Sequence, residues 1–158
     1  MSDLVVQFRE LYQRHWSQFV PYYRENLALS SPLLMNPPRA YASQKHKLMV
    51  IGRETKTWYN AEGRTFPQDE MIDGLMGIYR DKFNLGMGLK RSVFWQFVRA
   101  LENRLGITPG AVCWSNIHKC DFHGTQPSPE IATILRERLP VLRTRSLLLI
   151  PMSSSSVV

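Results

Sequence analysis

Cysteine is scarce, with two residues in a chain of 158. That is too few for a disulfide framework, and in a reducing compartment both stay as thiols. Long hydrophobic runs are missing too, so nothing in the sequence is of a length to span a bilayer. Asp3, Arg9 and Glu10 break up any leader-like stretch at the amino end. The expectation is a cytoplasmic protein with no membrane partner. No long basic run is present either, although the net charge is +7 and the pI is about 9.7. The basic residues fall in small groups at 45–47, 53–56, 90–91 and 136–145. Such a balance favours polyanionic partners, nucleic acid or anionic lipid, but solvated helix faces account for it equally well. There is no Gly-x-Ser-x-Gly elbow, no phosphate loop and no dinucleotide fingerprint, which argues against the common hydrolases, NTPases and dehydrogenases. Cys113, His118, Cys120, Asp121 and His123 lie near one another in sequence. Their spacing fits no closed zinc pattern, so no metal is expected.

What is present reads as one globular domain: 44% of the residues are hydrophobic and 21% charged. Leu4, Phe8, Leu11, Tyr12, His15, Trp16 and Phe19 recur at helical spacing, predicting an amphipathic helix that ends near Pro21 or kinks there. His15 falls on the apolar face, where a packed core histidine is expected. Pro32, Pro37 and Pro38 exclude regular structure over 30–40, which should cross the surface. Pro67, Asp69 and Glu70 mark a helix start, followed by a stripe of Met71, Ile72, Leu75, Met76, Tyr79 and Phe83. A further helix carries Phe94, Trp95, Val98, Leu101 and Leu105 and stops at Gly106. Ser128 and Pro129 open the last helix, with Ile131, Ile134, Leu135 and Leu139 on its buried face.

Three short segments, 48–51, 111–115 and 146–150, read as strands, each separated from the next by helix. Parallel pairing through right-handed crossovers follows. The expected fold is α/β: a three-layer α/β/α sandwich with a short central parallel sheet, incomplete at its C-terminal edge. Residues 1–40 form the helix and proline-rich connection, 45–151 the core, and 152–158 a disordered tail.

The segment 47–60 is the most informative. A short apolar run, expected to be buried on both faces, is stopped by Gly52. An acid, two hydroxyls, basic residues and two aromatics follow it. In open α/β sheets ligands bind beyond the carboxyl ends of the strands. Gly52 and Arg53 would lie there, Glu54 could position a water, and Trp58 and Tyr59 offer flat faces for a ring. A surface loop with half-buried aromatics explains the same residues. After the second strand candidate, Asn116 would reach the same rim. Its amide presents a donor and an acceptor side by side, suited to the edge of a planar base, although asparagine is also a common turn residue.

The two segments Leu48-Met-Val-Ile-Gly-Arg-Glu-Thr-Lys-Thr-Trp58 and Val112-Cys-Trp-Ser-Asn-Ile-His-Lys-Cys120, with the proline-marked helix after them, resemble the uracil-DNA glycosylase superfamily. The Gly-x-Glu-Thr pattern followed by tryptophan is similar to a little-characterised branch of it. The resemblance covers about residues 47–150. It implies a three-layer α/β/α fold that flips a uracil or related base out of DNA and hydrolyses its N-glycosidic bond, without a metal at the reaction centre. Glu54 then matches the water-activating acid and Asn116 the base-reading amide. Gly52, Arg53 and Trp58 fall in the base site, with Lys56 and Lys119 placed for the nucleic-acid backbone. The family's last motif, a histidine loop after the final strand, has no counterpart, so hydrolysis is expected to be weak or absent. Some branches hold an iron–sulfur cluster on four cysteines, which two cannot supply, and no cofactor is expected. A non-enzymatic nucleic-acid-binding or scaffold domain is the alternative, and a small-molecule enzyme on a flavodoxin-like sheet a further one.

Overall fold

A computed structural model describes residues 3–53, 67–81 and 92–140. Its elements follow in the order α1 (Asp3–Glu25), a 3-10 turn (Arg39–Tyr41), β1 (Met49–Gly52), α2 (Gln68–Asp81), α3 (Val93–Leu105), β2 (Cys113–Asn116) and α4 (Pro129–Arg138). The fold is mixed α/β, with β1 and β2 paired in parallel. The strand expected at 146–150, Phe83 and the tail at 152–158 lie outside the described residues.

Helix α1 runs through Pro21 without ending there. Phe8, Leu11, Tyr12, Trp16, Phe19 and Tyr23 form its buried stripe, and the rings of Phe19 and Tyr23 stack at 5.4 Å. That stripe outweighs the one backbone hydrogen bond that proline deletes. His15 is half-buried rather than core, and burial together with the neighbouring Arg14 charge holds its pKa below the usual histidine value. On the outer side Arg9 donates to both carboxylate oxygens of Asp73, at 2.7 and 2.9 Å, tying α1 to α2.

The proline-rich connection does not cross the surface. Ser30, Ser31, Leu33, Leu34 and Met35 are all buried. Burial is possible because its backbone groups are answered. Ser30 N–H donates to the Asp121 carbonyl at 3.0 Å and Leu33 N–H to the Lys119 carbonyl at 2.7 Å. Tyr12 Oη donates to the Met35 carbonyl, and the prolines bring no N–H that needs a partner. The connection is thereby laced to the segment that follows β2.

The helix ends follow the local signals. Gly106 caps α3 with φ of 63°, in the left-handed region that favours glycine. Ser128 Oγ accepts the Ile131 N–H at the start of α4. Inside α3, Glu102 is fully buried. One of its carboxylate oxygens accepts the Gly110 N–H at 2.8 Å and the other pairs with Arg99, so α3 holds the loop that feeds β2.

The two strands differ in burial. All four residues of β2 are buried, whereas Ile51 of β1 is 51% exposed and Met49, Val50 and Gly52 are half-buried. The expectation of a first strand buried on both faces is therefore corrected. The packing that hides a strand gathers on β2: the rings of Tyr79, Trp95 and Phe94 surround Trp114 at 6.0, 5.5 and 6.4 Å.

Candidate functional site

The register pairs Val50 with Trp114 and Gly52 with Asn116. Residues opposite one another share a face, and side chains alternate along a strand, so these four lie on one face of the sheet. Pairing extends past the strand ends: Ile117 N–H donates to the Gly52 carbonyl at 2.9 Å and His118 N–H to the Arg53 carbonyl at 3.0 Å. The carboxyl rim of the sheet is thus built from Gly52, Arg53 and Asn116, which the sequence also brings together.

The Asn116 side chain lies across Gly52. A Cβ at position 52 would stand 2.3 Å from Asn116 Oδ1 and 3.5 Å from both Asn116 Cγ and Trp114 Nε1. Only glycine leaves the carboxamide that space. Asn116 is 1% exposed, and its Nδ2 has no hydrogen-bond partner among the described residues. A buried donor left in this state costs about 1–3 kcal/mol, which a bound acceptor would recover.

Two of the sequence-predicted contacts have other partners. Arg53 donates through Nε and Nη2 to Gln126 Oε1, which latches β1 to the loop before α4. Lys119 does not stand at the surface to meet phosphate. It is buried, and its ammonium donates to Ser115 Oγ and to the Asn116 carbonyl, acceptors four and three residues back in the same turn of chain. Glu54, Lys56, Trp58 and Tyr59 lie outside the described residues.

Tyr79 was read only as part of a hydrophobic stripe. Its hydroxyl accepts the Trp114 N–H at 2.9 Å and donates to the Trp114 carbonyl at 2.8 Å, so one side chain satisfies both backbone groups of a strand residue. Nothing in helical spacing signals this. Beside α4 lies a cavity of about 480 Å³, with Phe19, Ile117, Lys119, Cys120 and Leu135 among its walls. Cys113 and Cys120 are buried and not in a disulfide. Among the described residues no group of three or more His, Cys, Asp or Glu side chains could hold a metal ion, and no helix is long and apolar enough to cross a membrane.

The class these observations define is a mixed α/β chain with polar groups at the carboxyl rim of a parallel strand pair. Comparison with family models, curated proteins and solved structures finds no match.

Proposed function

We propose that the chain is a uracil-DNA glycosylase-like domain that binds a nucleobase extruded from DNA. The observation that carries this reading is the buried Asn116 amide, lying over Gly52 with its nitrogen unanswered among the described residues. A pyrimidine edge offers the missing acceptor. The net charge of +7 suits a DNA partner. On this reading Glu54, two positions beyond Gly52, positions the water that attacks the sugar carbon as the base departs, and Trp58 stacks on the base.

We also propose the three-layer α/β/α arrangement for the core. Its support is the split between the two sheet faces: the rings of α2 and α3 gather on Trp114, while Ser115, of opposite parity, meets Lys119.

A uracil-containing oligonucleotide tests the function. Uracil release that falls at least about a hundredfold in Glu54→Ala supports the hydrolase. Release independent of Glu54 sinks that role. Salt-dependent binding that prefers uracil, with no release, leaves a base-binding module, and binding without base preference removes the nucleobase reading.

A further inference from the structure

We infer that Lys119 is a positioning residue for the Asn116 amide, holding it from behind the strand. The inference rests on the nucleobase reading for its purpose, but its geometry stands independently of it. Cys113 and Ile117 donate their N–H groups toward β1, to the Leu48 and Gly52 carbonyls. By the alternation of a parallel strand, the backbone groups of Trp114 and Asn116 face the other edge of β2. Among the described residues, side chains meet that edge. The Tyr79 hydroxyl takes both groups of Trp114, and one residue pair further on the Lys119 ammonium takes the Asn116 carbonyl.

Burying a lysine is costly unless acceptors surround its charge. The described residues supply the Asn116 carbonyl and Ser115 Oγ, and Ser115 is itself fully buried. This accounts for a serine inside a strand with no solvent contact. The root of the clamp is fixed as well, because the Lys119 carbonyl accepts the N–H of buried Leu33 at 2.7 Å. The Asn116 backbone is therefore gripped on both sides, by Gly52 through Ile117 and by Lys119. Fixing that backbone fixes the Cα–Cβ direction that lays the carboxamide over Gly52.

The cavity beside α4 makes the test chemical. Lys119 lines it, so Lys119→Ala opens the position of the missing ammonium to a small solute. In the full chain, the Asn116 side-chain NH2 resonances and the exchange protection of the Ile117 and His118 amides report the clamp without any ligand. We expect Lys119→Ala to shift those resonances and to lower protection about tenfold or more, as the loss of a charged hydrogen bond implies. Ethylammonium should restore both, and ethanol of similar size should not. Equal rescue by ethanol reduces Lys119 to a space-filler and overturns the inference. Should the alanine variant fail to fold, Lys119→Met keeps the stem, and unchanged Asn116 resonances in it overturn the inference as well. A uracil oligonucleotide added to the same samples separates the two claims. If the wild type does not bind it while the resonances respond to Lys119, the nucleobase reading falls and the clamp remains.

Discussion

β1 and β2 lie side by side in one register, yet composition and burial run in opposite directions. Met49-Val-Ile-Gly52 is wholly apolar and half-exposed, while Cys113-Trp-Ser-Asn116 ends in two polar residues and is completely buried. The difference teaches that burial in this sheet is set by what closes each strand's edge and covers its face. For β2 these are the Tyr79 hydroxyl, the Lys119 ammonium and a cluster of rings. The backbone groups of Trp114 and the Asn116 carbonyl can be buried there because each is given a partner. Against that background the Asn116 Nδ2 has no partner among the described residues, and it is the donor that the proposed nucleobase reading uses.

The comparison breaks most directly at Tyr79. Tyr79→Phe keeps the ring and deletes the one oxygen that meets both the N–H and the carbonyl of buried Trp114. At about 1–3 kcal/mol per group, the expected loss is about 2–6 kcal/mol, read as a lower denaturation midpoint. A change below about 0.5 kcal/mol would mean that β2 does not depend on this closure. The next effect is at Gly52. Gly52→Ala places a methyl 2.3 Å from Asn116 Oδ1, so the carboxamide must move or the strands must part. Overpacking of this kind costs about 1–3 kcal/mol, and on the nucleobase reading affinity for a uracil oligonucleotide should fall more than tenfold, since the displaced amide is the proposed reader. Retained affinity in the alanine variant would show that the amide is not the reader.

The helices were legible in the sequence because their ends carry local chemistry: Asp69 and Glu70 at the start of α2, Gly106 after α3, Ser128 and Pro129 before α4. That Asn116 reaches the rim where the first strand ends was legible as well, since parallel strands end on the same side, but its register opposite Gly52 was not. The remainder depended on contacts distant in the chain. Prolines correctly excluded regular structure over 30–40, but only the partners offered by Lys119 and Asp121 decide that this segment is buried. Lys119 read as a surface cation because charge type says nothing about local acceptors. Glu102 fell outside the apolar stripe assigned to α3, yet it is buried and Leu105 is 39% exposed. A carboxylate that serves the Gly110 N–H and Arg99 outcompetes leucine for the inner face.

Asn116→Leu gives the smallest stability change and reverses its sign. The two side chains are similar in size, and leucine removes the carboxamide donor that has no partner among the described residues. Replacing a buried unsatisfied polar group by an apolar one is expected to be neutral or stabilising by about 1 kcal/mol, provided the branched carbon fits against Gly52. On the nucleobase reading, base binding should vanish in the same variant, because the carboxamide donor is gone. A gain in midpoint coupled to a loss of binding is the signature of a polar group kept for function at a cost in stability. If Asn116→Leu instead destabilised the chain as much as Tyr79→Phe, the amide would be a structural bond of the fold, and the contrast between the two ends of β2 would disappear.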